Sequence, residues 1–317
     1  MTLTPQKVCG PPDGRCDRSA TLRCRSLTAD PPPFDLQSHS SLSDGALSPR
    51  EVVAAATAAG VQLFALTDHD TVDGVQDAAQ AAAELGLRLV PAAEVSAVDR
   101  TEQDLHILGY LVEHHDPILR ERLQRYRADR EQRADAMAQA LRELGYELDE
   151  SVLSRRVAQD KPIGRPHLAD AVVNHPANAQ RLAAEGLAER PAFLVAYLIP
   201  GRPAFAPRTR PIVAEAIETI HDAGGVAIWA HPFWDVEAPA QVLETIDRFV
   251  DWGLNGVECF YPTHDRQQTE LLVMRCAELG LLTTGSSDFH GPEHRQFSRF
   301  RAFSTYGHEP VLGPIAP

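Results

Sequence analysis

The sequence predicts an α/β fold in which seven short strands alternate with helices and can close into a barrel. Apolar runs of strand length recur at residues 34–36, 61–66, 87–90, 104–111, 225–230, 256–261 and 281–285. Segments with the apolar period of an amphipathic helix separate several of these runs, at 48–59, 75–85 and 212–223. Because a repeated strand–helix–strand order places successive strands side by side in the same direction, we expect a parallel sheet.

The regular alternation stops between about residues 113 and 209. Residues 114–150 have the charged, periodic pattern of a long helix, and GRPHLADAVV follows at 164–173. We therefore expect a barrel formed by 34–112 and 210–303, a mostly helical insertion of 113–209 that covers the barrel mouth as a substrate cap, and a C-terminal tail of 304–317. Residues 1–33, which end in three prolines, are expected to be a disordered N-terminal extension.

Composition narrows the function classes. The 317 residues carry a formal net charge of −14, which argues against broad binding to a nucleic-acid backbone but permits a small phosphorylated ligand. The five cysteines include no CxxC pair, which argues against a structural zinc site and favours a reducing, cytoplasmic location. No apolar run approaches the ~20 residues of a membrane span, and no secretory signal is recognisable, so we expect no membrane contact. No obligate protein partner is evident.

Most of the apolar runs contain, or are followed by, side chains that bind metals. In chain order these are His39 and Asp44, Asp68 and His69 within TDHD, Glu94, His106, His231 within AHP, Glu258 with the following His264, and Asp288 and His290 within SDFH. The carboxyl ends of parallel strands open on one face of a barrel, so these side chains are expected to converge there. Clustered histidines and carboxylates indicate a multinuclear metal centre. No GxSxG elbow is present, which favours metal-activated water over a protein nucleophile.

These motifs resemble those of the PHP family, named for polymerase and histidinol phosphatase, from about residue 34 to 291. They are DLxSHS with SDG, TDHD, EVS, DLHILGY, AHP and SDFHG, in the family's order. The similarity is to the bacterial phosphoesterase branch, which includes nucleoside 3′,5′-bisphosphate phosphatases, nucleotide phosphatases and a 5′-to-3′ exoribonuclease. The resemblance implies a distorted seven-stranded (β/α) barrel with a helical insertion, and a trinuclear site for Mn, Fe, Zn or Mg.

The resemblance also implies which residues hold the metals. The first metal would take Gln37, His39, Glu94 and Asp288, the second Glu94, His106 and His231, and the third Asp44, His69 and His290. Eight of these nine residues match the family; the exception is Gln37, where the family usually has histidine. The catalytic candidates are Asp68, His69, Glu94 and His231, with Asp68 as a partner that orients His69. Asp70 is expected only to cap the following helix.

Gln37 leaves three hypotheses open. Positions i and i+2 of a strand project to the same side, so Gln37 and His39 would both face the metals. A neutral amide oxygen is a poor ligand for zinc or iron. The first metal would therefore bind weakly, as a harder ion such as Mn or Mg, or the site would hold two metals in practice, or the protein would have lost catalysis.

The resemblance places basic residues of the insertion where they would meet a substrate phosphate, and one histidine beyond the sixth run is a further candidate for substrate contact. They are Arg165 and His167 in GRPH, Arg202 in PGRP, and His264. For Glu258 and His264, lining the substrate pocket and not lining it are equally compatible with the pattern. Residues 120–133, of mixed charge, are interpreted as a solvated helix face.

Together these observations favour a metal-dependent phosphoesterase that acts on a small phosphorylated metabolite, in the first place a nucleotide or a nucleoside bisphosphate. Two or three divalent ions would activate the attacking water. The alternative enzyme is a 5′-3′ exoribonuclease acting on short RNA. A second class of alternative, suggested by Gln37, is a catalytically weakened protein that binds metal or nucleotide.

Overall fold

The computed structural model describes residues 32–99, 104–158, 163–207 and 211–316. Nearly all of the predicted extension, residues 1–33, lies outside this part of the chain. The strands form one sheet in chain order: β1 (Phe34–Asp35), β2 (Leu63–Leu66), β3 (Arg88–Val98), β4 (Asp104–Tyr110), β5 (Val226–Trp229), β6 (Gly256–Phe260) and β7 (Leu282–Gly285). The first and last strands approach each other through the Leu36 N–H, which donates to Gly285 O across 3.3 Å. The predicted seven-stranded barrel is therefore confirmed in a nearly closed form.

The prediction of a wholly parallel sheet is wrong at β4. This strand runs antiparallel to both β3 and β5, while the other neighbouring pairs are parallel. The cause is the length of β3, which continues beyond the predicted end at residue 90 to Val98. The connection 99–103 is then too short for the crossover of a dozen or more residues that a parallel partner needs, so the chain must return antiparallel.

Helices follow most of the strands, and a long helical segment connects β4 to β5 in the sequence. They are α1 (Pro49–Ala58), α2 (Val75–Leu85), α3 (Pro117–Glu143), α4 (Glu150–Ala158), α5 (Arg165–Val173), α6 (Ala179–Glu185), α7 (Arg190–Tyr197), α8 (Val213–Asp222), α9 (Pro232–Asp235), α10 (Pro239–Asp251) and α11 (Arg266–Leu279). Short 3₁₀ turns occupy Pro176–Asn178 and Gly313–Ile315. None of the helices in the described part of the chain is long and apolar enough to cross a membrane.

Local signals explain where the helices begin. Helix α1 starts after Ser48, whose side chain accepts a hydrogen bond from the Glu51 backbone N–H, while the Glu51 carboxylate accepts one from the Ser48 backbone N–H. This reciprocal cap satisfies two N–H groups that the helix leaves unpaired, and Pro49 fits the first turn because its missing N–H has no partner there. Helix α11 starts with the same arrangement at Asp265 and Gln268.

Helix α3 joins two hydrophobic cores. Leu119, Leu123 and Tyr126 in its first half pack in the barrel core. Met137 and Leu141 in its second half pack in a separate core formed with α4 to α7. Both halves of α3 are therefore held by packing, and the middle of the helix lies where the inserted helices meet the barrel.

The C-terminal segment, expected as a tail, is bound to the last strand. The Thr283 N–H donates to Val311 O across 2.9 Å, and the Val311 N–H donates to Thr283 Oγ1 across 2.8 Å. Ile315 is buried in the barrel core. This segment therefore contributes to the barrel itself.

Candidate metal centre and catalytic cavity

The predicted metal ligands meet at one mouth of the barrel, in a cavity of about 520 Å³. The reversed direction of β4 matters here. Because β4 is antiparallel, its beginning lies beside the carboxyl ends of the parallel strands. His106, near that beginning, is paired in register with Ser96 of β3. His106 therefore reaches the same mouth as ligands that follow β2 and β5.

Glu94, His106 and His231 form one compact donor group. Glu94 Oε1 lies 2.8 Å from His106 Nδ1 and 3.3 Å from His231 Nε2, and the two imidazole nitrogens are 3.3 Å apart. Glu94 and His231 are buried, and His106 is partly exposed to the cavity. Three nitrogen and oxygen donors that converge in this way fit a divalent metal.

Asp44 is the centre of a second group. Its carboxylate oxygens lie 3.6 Å from His69 Nε2 and 3.5 Å from His290 Nε2. His39 Nδ1 is also 3.6 Å from Asp44. Burial lowers the pKa of His69 to about 3, so this imidazole is neutral and has a lone pair to give to a metal. The donor chemistry of this group also fits a divalent cation.

A third group surrounds His39. Its Nε2 lies 3.0 Å from Glu94 Oε2 and 3.2 Å from Asp288 Oδ1. His39 Nε2 and Asp288 Oδ1 are nevertheless buried without a hydrogen bond of acceptable geometry. Buried polar atoms are rarely left in this state unless a ligand satisfies them, so the pair is arranged as metal donors are.

Gln37 is placed beside this third group but presents the wrong atom to it. Its Nε2 donates to Glu94 Oε2 across 2.9 Å, and its Oε1 accepts a hydrogen bond of 3.2 Å from Ser286 Oγ. An ionised carboxylate only accepts hydrogen bonds, so the amide nitrogen must face Glu94 and the carbonyl oxygen must face away. In this orientation Gln37 presents no donor atom to a metal. His39 itself belongs to two compact sets of donors, one with Glu94 and His69 and one with Asp288 and His290.

The buried carboxylates of the centre create a negative potential that favours a bound cation. Burial alone would raise the pKa of Glu94, but the interactions of its carboxylate with the surrounding imidazoles outweigh burial and hold this pKa well below its usual value. Burial likewise lowers the pKa of His39, but Asp288 and Glu94 raise it well above 6.5. The carboxylates thus draw protons onto a buried imidazole, and a bound cation would replace those protons.

Asp68 supports the centre in a different way from the one predicted. Its carboxylate accepts hydrogen bonds from the Ser40 N–H and Oγ at 2.7 and 2.6 Å and from Ser43 Oγ at 2.6 Å. Ser43 Oγ in turn lies 3.4 Å from His39 Nδ1. Asp68 therefore fixes the loop that carries His39, and among the described residues it makes no contact that orients His69.

The expectation that Asp70 caps a helix is wrong. The N-cap of helix α2 is Gly74, and Asp70 Oδ1 instead accepts the Ser96 N–H across 2.9 Å. Asp70 has a left-handed backbone with φ of 53°, which suits this cross-strand contact. The residue therefore ties the loop after β2 to β3, two residues beyond Glu94.

Three residues that sequence reasoning did not assign, or left open, hold the ligands in place. Glu258 is fully buried; its Oε2 accepts the His231 N–H across 2.9 Å, and burial raises its pKa to about 8. Tyr261 Oη donates to Asp288 Oδ2 across 2.8 Å. Asp235 Oδ2 lies 3.4 Å from His231 Nδ1. His231 and Asp288 both have positive φ, 30° and 53°, an uncommon conformation that these contacts help to maintain.

Basic residues of the inserted helices complete the cavity wall. Arg165 Nη2 lies 2.9 Å from Asp104 Oδ2, and Arg133 Nη1 contacts both oxygens of the same carboxylate at 3.2 and 3.0 Å. Arg130 Nη2 donates to Ser96 Oγ across 2.6 Å. These three arginines and His167 line the cavity. The positions predicted for Arg165 and His167 are therefore compatible with substrate contact.

Two of the predicted substrate residues lie elsewhere. Arg202 is exposed in a turn after α7, and it is not among the described residues that line the cavity. His264 is 3% exposed, and its Nδ1 lies 3.1 Å from Cys259 O, behind the wall. Glu258 is also behind the wall, so neither Glu258 nor His264 lines the pocket.

The interpretation of residues 120–133 as a solvated face is wrong at Arg130 and Arg133. The signal that could have found them is spacing. Arg130, Arg133, Ala134 and Met137 all line the cavity, and these positions follow the i, i+3, i+4, i+7 pattern of one helix face. The charged residues on the other faces of the segment make this cavity-facing row difficult to recognise from the sequence.

Comparison with known proteins agrees with this geometry. Residues 35–170 match the sequence profile described as the PHP domain. A 5′-3′ exoribonuclease of Haemophilus influenzae is 33% identical over 259 residues, which is 82% of this chain and 90% of the relative. A 3′,5′-nucleoside bisphosphate phosphatase of Chromobacterium violaceum is 31% identical over 82% of this chain and 87% of the relative. The chain therefore belongs to the PHP family.

Solved structures show the same architecture. An amidohydrolase from Chromobacterium violaceum, with bound sulfate and no metal, superposes with a TM-score of 0.72 and 28% identity over 90% of this chain and 93% of the other. A candidate metal-dependent phosphoesterase from Bifidobacterium adolescentis superposes with a TM-score of 0.68 and 28% identity over 84% and 91%. The predicted distorted (β/α) barrel and the predicted class, a metal-dependent phosphoesterase, are confirmed.

Proposed function

We propose that this protein removes a terminal phosphate from a small nucleotide, with a nucleoside bisphosphate as the favoured substrate. The observation that supports this proposal most is that two chemically different walls line the same cavity. One wall consists of histidines and carboxylates suited to divalent metals, and the other carries arginines of the inserted helices. A substrate with two phosphates could place one phosphate against each wall.

The metal side would carry the hydrolysis. We propose that Glu94, His106 and His231 hold one divalent ion and that Asp44, His69 and His290 hold another, with His39 and Asp288 as weaker donors for a third. When bound, the ions would lower the pKa of water and neutralise charge on the phosphoryl oxygens. Water would add to phosphorus, the P–O ester bond would break, and the nucleoside hydroxyl would leave with a proton. Glu258 and Tyr261 would keep the ligands His231 and Asp288 in position.

The arginine side would bind the phosphate that is not cleaved. Arg133 and Arg165 share the carboxylate of Asp104, so two cations face one anion at this part of the wall. Arg133 Nη2 is buried without a hydrogen-bond partner, which leaves an N–H group for an anionic oxygen. A guanidinium presents its N–H groups in a planar fork that matches phosphate. Arg130 and His167 would complete this phosphate site.

The dimensions of the site favour a small substrate. Its volume of about 520 Å³ lies within the ~300–1,000 Å³ range of small-molecule sites. The inserted helices contribute part of the wall, which restricts the length of chain that can enter. The net charge of −14 also disfavours a long polyanion. The exoribonuclease of Haemophilus influenzae, at 33% identity, supports short RNA as the second candidate substrate.

Phosphate release from a graded panel would test the proposal. The panel contains adenosine 3′,5′-bisphosphate, adenosine monophosphates and 5′-phosphorylated oligoribonucleotides of increasing length, each with Mn²⁺ supplied. We expect the bisphosphate to have the highest kcat/KM and the oligonucleotides to decline with length. The His106→Ala variant and chelator-treated protein serve as matched blanks that should release no phosphate above background.

Three results would contradict the proposal in different ways. A kcat/KM that rises with oligonucleotide length would identify the exoribonuclease instead. Equal rates on every phosphomonoester would show that binding of a second phosphate by the arginine wall does not contribute to catalysis. Metal and nucleotide binding without hydrolysis of any substrate would identify the catalytically weakened binding protein suggested by Gln37.

A further inference from the structure

Trp234 exposes an aromatic face inside the catalytic cavity. The side chain is 50% exposed, and it is the one aromatic residue among the large apolar side chains that are exposed in the described part of the chain. None of the others, which are Leu85, Ile118, Leu144, Val195, Ile212, Met274 and Val311, lines this cavity. A large indole surface left open to water beside a metal centre suggests a ligand that covers it.

Neighbouring rings hold the indole beside the metal ligands. The Trp234 ring lies 5.6 Å from the Phe297 ring and 6.4 Å from the Tyr261 ring, both in edge-on geometry. Phe297 in turn lies 5.8 Å from His290, and Tyr261 lies 5.2 Å from His231. The indole is therefore one ring away from a ligand of each proposed metal. The main chain at Trp234 is also tied to the loop that carries His231, because the Trp234 backbone N–H donates to His231 O across 2.8 Å.

We propose that Trp234 is a stacking platform for the base of the nucleotide. This inference rests on the proposed function, which places the scissile phosphate at the metals, and it adds the group that lies on the aromatic side. A nucleobase has a flat π-face that stacks on an indole without needing hydrogen bonds, so the platform would accept several bases. The platform would thus set a preference for nucleotides over phosphorylated sugars, and it would set little preference among bases.

Paired substrates separate a base contact from a general effect on the site. Adenosine 3′,5′-bisphosphate is compared with its abasic analogue, in which hydrogen replaces adenine, on wild type, Trp234→Phe and Trp234→Ala. Stacking on an aromatic side chain is expected to contribute about 5- to 100-fold in kcat/KM. We expect Trp234→Ala to lose that factor on the nucleotide and to match wild type on the abasic analogue. Trp234→Phe should retain most of the nucleotide activity, because a phenyl ring also stacks.

Two kinetic results would overturn the inference. An equal loss on both substrates would mean that Trp234 supports the metal ligands rather than the base. No loss on either substrate would mean that the indole faces solvent and contacts no ligand.

A binding measurement keeps the inference testable if no phosphate is released. Stacking should quench the fluorescence of Trp234, whereas the other two tryptophans, Trp229 and Trp252, do not line the cavity. Adenosine 3′,5′-bisphosphate should therefore quench the tryptophan fluorescence of wild type and quench that of Trp234→Phe far less. The abasic analogue should quench the fluorescence of neither protein. Failure of hydrolysis with this quenching intact would contradict the proposed function but support the platform. Equal quenching of wild type and Trp234→Phe would contradict the platform alone.

Discussion

Gln37 Nε2 donates a hydrogen bond to Glu94 Oε2 across 2.9 Å. Glu94 is the carboxylate that lies between the proposed metal positions, with its other oxygen against His106. The bond therefore places a neutral donor where the family resemblance implies a metal-ligating imidazole. It also occupies a lone pair of Glu94 Oε2 that a metal at the His39 group would use. Of the three hypotheses for Gln37, this geometry supports the one in which the metal at the His39 group binds weakly.

Substitution of Gln37 by histidine should strengthen metal binding at the group around His39. Imidazole is a better donor than an amide for borderline metals, so we expect the metal content to rise from about two to about three ions per chain, with greater retention of Zn or Fe. Elemental analysis of wild type and Gln37→His, purified with the same metal supply, measures this. The control is Gln37→Ala, which removes the hydrogen bond to Glu94 without adding a donor and should not gain metal. Three tightly held ions in wild type, unchanged in Gln37→His, would show that Gln37 does not weaken a site.

Loss of a ligand imidazole should remove metal and activity together. We expect His231→Ala and His69→Ala each to lose at least one metal ion, and to lose activity by at least the about 10- to 100-fold that changes around metal ligands typically cause. Both side chains lie at the barrel mouth rather than in the apolar core, so the far-ultraviolet circular dichroism spectrum should be unchanged. Normal metal content and turnover in both folded variants would refute the ligand assignment.

Removal of the Arg165 guanidinium should weaken substrate binding more than metal binding. A charge-assisted hydrogen bond contributes roughly 1.5–3 kcal/mol, so kcat/KM for a phosphorylated substrate should fall about ten- to a hundredfold in Arg165→Ala. Asp104 would remain paired with Arg133, which limits damage to the fold. The matched control is Arg202→Ala, because Arg202 is exposed and outside the cavity lining. An equal effect of the two substitutions, or none, would exclude Arg165 from the phosphate site.

His167 predicts a pH dependence of stability. Burial, together with the nearby Arg156, lowers its pKa to about 4. In the unfolded chain the same imidazole has a pKa of about 6.5. As the pH falls from 6.5 towards 4, the unfolded chain therefore binds a proton that the folded protein does not, and the free energy of unfolding decreases. Above pH 6.5 both states are neutral and His167 has no effect on this slope.

The His167→Gln variant isolates this contribution. Glutamine can still accept the Gly164 N–H, as His167 Nδ1 does across 2.9 Å, but it does not titrate. We expect the free energy of unfolding to fall less steeply in the variant between pH 6.5 and 4, by at most about 1.4 kcal/mol per pH unit. Denaturant titrations at several pH values, with both proteins free of metal, give the difference. Parallel curves over the whole range would show that His167 protonates equally in both states.

Much of this protein could be predicted from its sequence because the relevant signals are local. Apolar runs of strand length and helical periodicity are properties of short segments, and all seven strands overlap the predicted runs. The order of the metal-binding side chains could also be predicted, since strand ends of a barrel open on one face. The capping pair Ser48 and Glu51 is local in the same sense.

Other features depend on which distant segments pack together. The sequence around Arg130 resembles any charged helix surface, and only the packing of α3 on two separate cores turns that face towards the cavity. The position of His264 after a strand and the family resemblance of Arg202 both predict contact with the cavity, but His264 packs behind the wall and Arg202 is exposed outside the cavity lining. Burial of a side chain is decided by its neighbours in space, which are often far away in the sequence, as His231 and Glu94 are.

The sequence by itself determined the barrel, the family and the set of side chains available to bind metals. Tertiary structure decided how those side chains are used. The antiparallel return of β4 brings His106 to the ligand cluster, because a short connection cannot cross the barrel. The contact with Glu94 turns the Gln37 amide nitrogen inward, because a carboxylate can only accept a hydrogen bond. Both outcomes follow from pairings between segments that are separate in the chain, and such pairings leave no pattern within either segment.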